Sequence, residues 1–120
     1  MIDPHVEKLI AQCRPLTLLY VEDDAKTREA ILMILREFFS TIHVAQDGEE
    51  GLKLYEDNAQ TIDLIITDIT MPKRNGIEMI ECIRKENKDV IIIVFSAHND
   101  ASYFAQTIEI GVDGYLLKPL

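Results

Sequence analysis

Short β-branched runs alternate with longer segments of helical period along the 120-residue chain. The runs are LTLLYV (16–21), TIHVA (41–45), IDLIIT (62–67), VIIIVF (90–95) and VDGYLL (112–117). Between them lie AKTREAILMILREFF, DGEEGLKLYEDN, NGIEMIECIRKEN and NDASYFAQTIEIG. Ile31, Ile34, Leu35 and Phe38 recur at helical spacing in the first segment, and Ile77, Ile80 and Ile83 do so in the third. Leu52, Leu54 and Tyr55 give the second a shorter apolar face. Turn signals at Asp47-Gly48, Asn75-Gly76 and Gly111 fall at the joints.

Five strands alternating with four helices predict an α/β domain with a parallel sheet, because parallel neighbours need crossover connections and these are usually helical. The nearly continuous apolar runs at 62–67 and 90–95 suit strands covered on both faces. TIHVA alternates, with Ile42 and Val44 on one side, which predicts an edge strand. Residues 3–13 predict an additional helix. Asp3 is its N-cap, Pro4 its first residue, and Val6, Leu9, Ile10 and Cys13 share one face. The sequence ends at Leu120, directly after the fifth run, where a further helix would normally cover that side of the sheet, and a fragment lacking that helix is expected. The chain is accordingly divided into a helical extension, 1–14, and a C-terminally truncated main domain, 15–120, of a longer protein. Residues 3–13 are expected to cover part of the exposed side, in cis or by exchange between two chains.

Charge and cysteine content narrow the partners. Twelve basic against 21 acidic residues give a formal net charge of -9, which argues against binding nucleic acid by phosphate neutralisation. Cys13 and Cys82 lie far apart with no clustered histidines, and are expected to be packed thiols in a reducing cytosol. MIDPHVEKLI lacks a signal-peptide core, and VIIIVF is far shorter than the ~20 residues needed to span a bilayer. A soluble, cytoplasmic protein is expected.

Strand polarity then separates two similar acids. In open parallel sheets ligands bind beyond the carboxyl ends of the strands. Asp63 opens the third run and lies at the far end, whereas Asp68 follows it at the binding edge. The same edge receives Glu22, Asp23 and Asp24 after the first run, Ser96 after the fourth and Lys118 after the fifth. Crowded carboxylates must protonate or be screened by a cation. No cysteine or histidine cluster favours zinc, and all-oxygen ligands suit Mg²⁺. Acids holding Mg²⁺ beside a free carboxylate and a lysine form a phosphoryl-transfer arrangement. Asp24 reads better as the N-cap of the following helix than as a ligand.

Four blocks carry a resemblance: VEDD after the first strand, TDITMP with Gly76 four residues beyond its proline, FSA after the fourth, and YLLKP after the fifth. Their order and spacing over 16–120 resemble the receiver domain of two-component response regulators, of the chemotaxis-regulator type. The resemblance implies a flavodoxin-like, doubly wound (βα)5-type sheet of order 2-1-3-4-5. It implies that Asp68 accepts a phosphoryl group from a phosphohistidine, with Mg²⁺ as cofactor and Mn²⁺ able to substitute. Asp23 and Asp68 would be direct metal ligands, Glu22 would act through water, and Thr70 would offer its backbone carbonyl. Lys118, followed by Pro119, would pair with the phosphoryl group, and Ser96 and Tyr115 would form the conformational switch. Thr70 and His98 occupy positions that tune the lifetime of the aspartyl phosphate, and Pro72 and Gly76 shape the loop after Asp68. Serine stands at 96 where most such domains carry threonine, which keeps the hydroxyl but loses rotamer stiffness.

The implied partners are a sensor histidine kinase or phosphotransfer protein, and an output domain or downstream protein. The latter would dock on the fourth crossing helix and fifth strand, with Tyr103, Ile108 and Tyr115 as candidate contacts. A homodimer is compatible with the reading, and no membrane or direct nucleic-acid contact is implied. Such a module is regulatory: it catalyses only its own phosphorylation and dephosphorylation. Three alternatives compete with it. An aspartyl-nucleophile phosphatase of haloacid-dehalogenase type would carry a second acid where Thr70 stands. A flavodoxin-like electron carrier would want a Ser/Thr-rich loop in place of VEDD. A degenerate receiver used only for docking would not need the full set of matching residues.

Overall fold

The computed structural model describes residues 3–69, 71, 75–96 and 101–118, with side chains of the last stretch from 103 onward. Thr70, Pro72, His98 and Pro119 lie outside the described residues. In chain order the elements are α1 (Pro4–Cys13), β1 (Thr17–Val21), α2 (Ala25–Phe38), β2 (Thr41–Ala45), α3 (Gly48–Asp57), β3 (Leu64–Thr67), α4 (Gly76–Glu86), β4 (Ile91–Ser96), α5 (Ala101–Ile110) and β5 (Gly114–Leu117). All neighbouring strands are parallel, in the order β2-β1-β3-β4-β5. The alternating TIHVA run therefore is an edge strand, and β1 and β3, which deliver the acids, lie side by side in the interior of the sheet.

The first four helix starts have a sequence cause. Asp3, Asp24, Asp47 and Asn75 cap α1 to α4, their side-chain oxygens accepting from the backbone N–H groups of His5, Thr27, Glu50 and Glu78. Alternate residues of each strand feed two cores. On one face Leu19, Val21, Ile65, Ile92 and Val94 pack with Tyr55 of α3, Ile77, Met79, Ile80 and Ile83 of α4, and Tyr103 of α5. On the other, Leu18, Tyr20 and Leu64 pack with Leu32, Leu35 and Phe38 of α2. Cys13 of α1 joins this second core, and the Arg14 guanidinium donates to the carbonyl of Glu37. Cys13 and Cys82 are partly buried and not joined in a disulfide.

α1 thus sits against α2. On the α2 side, Ile91 of β4 and Leu116 of β5 are 44% and 46% exposed, and among the described residues no helix follows β5. β3 begins at Leu64, two residues later than expected, because Asp63 uses its side chain differently: its Oδ2 accepts from Thr17 N–H at 2.9 Å. β5 likewise begins only after Asp113, whose carboxylate accepts from Ile92 N–H at 2.8 Å and from Arg84 at 3.0 Å. No helix among the described residues is long and apolar enough to cross a membrane.

Candidate functional site at the carboxyl edge of the sheet

The loops leaving β1 and β3 are pinned together by the backbone. Asp68 N–H donates to the carbonyl of Val21, and Glu22 N–H to that of Ala45, so the ladder carries each acid one residue past its strand. From β5, Lys118 N–H donates to the carbonyl of Ser96 at 2.9 Å and extends the β4–β5 ladder in the same way. Three pairs of parallel neighbours thereby deliver Glu22, Asp68, Ser96 and Lys118 to one edge.

The side chains converge. Lys118 Nζ donates to Glu22 Oε1 at 2.5 Å and to Asp68 Oδ2 at 3.0 Å. The other Asp68 oxygen, Oδ1, accepts from Ile69 N–H at 2.7 Å. Glu22 Oε2 accepts from Asp24 N–H at 3.2 Å. Glu22 and Asp68 are 1% and 7% exposed, whereas Asp23 faces solvent. One carboxylate oxygen from each of Glu22, Asp23 and Asp68 lies within 4.8 Å of the others, a set of hard oxygen donors that fits a magnesium-sized cation.

Burial raises the pKa of Glu22 above the ordinary carboxylate range, against the opposing pull of the hydrogen bonds from Lys118 and Asp24 N–H, and the charge of Asp68 adds to the rise. Burial works against the Lys118 ammonium too, but hydrogen bonds to two carboxylates outweigh it, and its pKa is raised. The two partners respond unequally because Glu22 is almost wholly buried and holds one lysine, while Lys118 is less buried and holds two acids. Phe95 adds a ring 5.5 Å below the Lys118 ammonium.

Asp24 is a cap. Its carboxylate accepts from both Thr27 N–H and Thr27 Oγ1, which lowers its pKa, and it stands outside the cluster. Ser96 is fully buried at the end of β4. Tyr115 is half-buried on β5, its ring edge-on to Phe104 with centroids 5.4 Å apart. The assignments to Thr70 and His98 fall outside the described residues.

Two contacts at the site could not be read from the sequence. Arg28, in the first turn of α2, donates to the carbonyls of Glu22 and Asp23 and ties their loop to the helix. Gly76 lies under the loop after β3, its N–H donating to Ile69 O at 2.6 Å. A Cβ there would stand 2.0 Å from the carbonyl oxygen of Asp68. Its turn signal and its distance from Pro72 mark it as a loop-shaping glycine, but the close approach to Asp68 is visible only in three dimensions.

A family model for the response regulator receiver domain matches residues 18–120. Among curated proteins, the chain is 34% identical over 108 residues to the probable C4-dicarboxylate response regulator DctR of Bacillus subtilis, covering 85% of this chain and 45% of that protein. It is 30% identical over 105 residues to a cyclic di-GMP phosphodiesterase of Thermotoga maritima, covering 88% of this chain and 27% of that protein. The chain therefore spans less than half the length of these curated relatives. Among solved structures it is similar to the N-terminal domain of an uncharacterized protein from Wolinella succinogenes, at 42% identity and a TM-score of 0.81 over 88% of this chain and 83% of that one. It is also similar to a chain of the CheX–CheY–BeF3–Mg complex from Borrelia burgdorferi, at 31% identity and a TM-score of 0.83 over 92% of this chain and 83% of that one.

Proposed function

The chain belongs to the response regulator receiver domains, and from that premise we propose that Asp68 is its phosphoacceptor. The phosphatase alternative is left without support. The observation that carries the assignment is the position of Asp68: buried, at the end of an interior strand, and bonded to Lys118 beside Glu22 and Asp23.

In this reading a carboxylate oxygen of Asp68 attacks the phosphorus of a phosphohistidine on a sensor kinase or phosphotransfer protein. A P–O bond forms, the P–N bond breaks, and its electron pair leaves with the imidazole. Asp23, Asp68 and the carbonyl of Thr70, with Glu22 through water, would hold Mg²⁺ or Mn²⁺, which when bound supplies counter-charge to the phosphoryl oxygens. Lys118 follows the negative charge from Asp68 to the phosphoryl group. Ile69 N–H already points at one Asp68 oxygen and fixes the carboxylate plane.

Ser96 and Tyr115 form the switch, the serine hydroxyl turning to a phosphoryl oxygen and Tyr115 turning inward. A charge-assisted hydrogen bond contributes about 1.5–3 kcal/mol, whereas moving an equilibrium from 1:99 to 99:1 takes about 5.5 kcal/mol. Ser96 alone therefore produces a partial shift, and the Lys118 contact or a partner supplies the rest. Thr70 and His98 set how long the phosphoryl group stays on. The output partner or domain, or a second copy in a homodimer, docks on α5 and β5, where Phe104 and Ile108 are exposed. We assign residues 1–14 to an extension outside the receiver proper, and the whole to the cytoplasm.

Incubation with acetyl phosphate and Mg²⁺, read by intact mass, tests the central assignment. One added phosphoryl group is expected on the native chain and none on Asp68→Asn. Equal labelling of the two would overturn it.

A further inference from the structure

Tyr20 sits on β1 two residues before Glu22, whose N–H continues the ladder to the carbonyl of Ala45, so strand alternation puts both residues on the same face of the sheet. It is 1% exposed within the core beneath α2. Yet among the described residues its hydroxyl is the buried side-chain polar atom that lacks a hydrogen-bond partner. An orphaned buried hydroxyl is costly, and phenylalanine would fill the same volume without that cost. A tyrosine here calls for a use that the resting arrangement does not show.

The surroundings name the use. Burial, and then the negative charges of Glu22 and Asp68, push Tyr20 ionisation well above the ordinary tyrosine range, with Arg28 opposing. The hydroxyl is a donor by its own chemistry, and it lies on the face of the sheet from which both carboxylates leave. In the resting arrangement a single ammonium, Lys118, serves both of them. Once Lys118 is drawn to a phosphoryl group, Glu22 Oε1 loses that donor, and a metal reached through water would satisfy only part of the carboxylate's acceptor capacity.

We propose that Tyr20 is a positioning residue, a reserve donor whose O–H takes up Glu22 when Lys118 moves to the phosphorylated Asp68. The handover keeps the buried Glu22 carboxylate bonded in both states, and so lowers the cost of releasing the lysine. It rests on the reading of Asp68 as phosphoacceptor, and its test is divided accordingly.

The first arm uses protein carrying ¹³Cζ-labelled tyrosine, with Tyr20→Phe identifying the Tyr20 resonance among the four tyrosines. In Lys118→Met, without phosphate donor or Mg²⁺, Glu22 has already lost its lysine, and the Tyr20 resonance is expected to move as its hydroxyl becomes bonded. No movement would overturn the handover while leaving the Asp68 assignment intact. The second arm titrates beryllofluoride and Mg²⁺. Tyr20→Phe is expected to raise the melting temperature of the Mg²⁺-free protein by several degrees and to weaken beryllofluoride binding about tenfold. Unchanged beryllofluoride affinity in a folded Tyr20→Phe protein would reduce Tyr20 to a packing residue. Failure of the native chain to bind beryllofluoride at all would overturn the premise and the proposal together.

Discussion

The two edges of the sheet use the same residue types to opposite ends. At the amino edge, acids and amides close hydrogen bonds with backbone N–H groups. Asp63 takes the N–H of Thr17, and Asp113 takes the N–H of Ile92. Asn87 takes those of Asp89 and Val90. Arg84 binds Asp113 and the carbonyls of Asn87, Val90 and Gly111. At the carboxyl edge three acids crowd one another, and Lys118 holds two of them. The first edge fastens the chain ends of strands, and the second stores unneutralised charge. Asp63 and Asp68, at opposite ends of one strand, thus take opposite roles.

Gly76→Ala attacks this contrast hardest, because it places a steric fault at the chemical edge. The added methyl would meet backbone, which cannot rotate away. We expect a loss of about 3 kcal/mol, read by urea unfolding, together with loss of acetyl phosphate labelling. Arg84→Ala probes the other edge. It strips the donor from several carbonyls and from Asp113, and should cost roughly 1.5–3 kcal/mol. Asp68 labelling of the folded fraction should be unchanged; a loss of labelling would show that the edges are not separable. Asp63→Ala should cost about 1 kcal/mol, again without effect on labelling.

The smallest effect is one of slope. Glu22 has a raised pKa in the folded state, so the folded protein holds its proton more tightly than the unfolded chain does. Its contribution to stability therefore falls as pH rises from its ordinary value of 4.5 to the raised one, and is level above that. In Mg²⁺-free buffer, Glu22→Gln should flatten that part of a stability–pH profile measured by denaturant midpoint. An unchanged slope would mean that Lys118 fully compensates the burial of Glu22.

Much of this was legible in the chain. Hydrophobic period located ten elements to within a few residues, and strand polarity alone told Asp63 from Asp68. The proximity of Lys118 to the acids followed from its place after the fifth strand. What stayed hidden depends on distances between residues far apart in sequence. The trimming of β3 turns on the Asp63 side chain meeting Thr17, 46 residues away. Arg28 looks like any exposed helix residue until its guanidinium is found on the carbonyls of Glu22 and Asp23. Tyr20 reads as one more apolar strand position, since a hydroxyl without a partner has no pattern. The division of Lys118 between two acids is a matter of ångströms.

β5 bonds to a single neighbour, β4, at the margin of the sheet. The interior pair β1 and β3 brings the carboxylates together, but their lysine is carried by this peripheral strand. An opening of that margin would take the ammonium away from both acids at once, which ties the hold on one edge strand to the charge balance of the site.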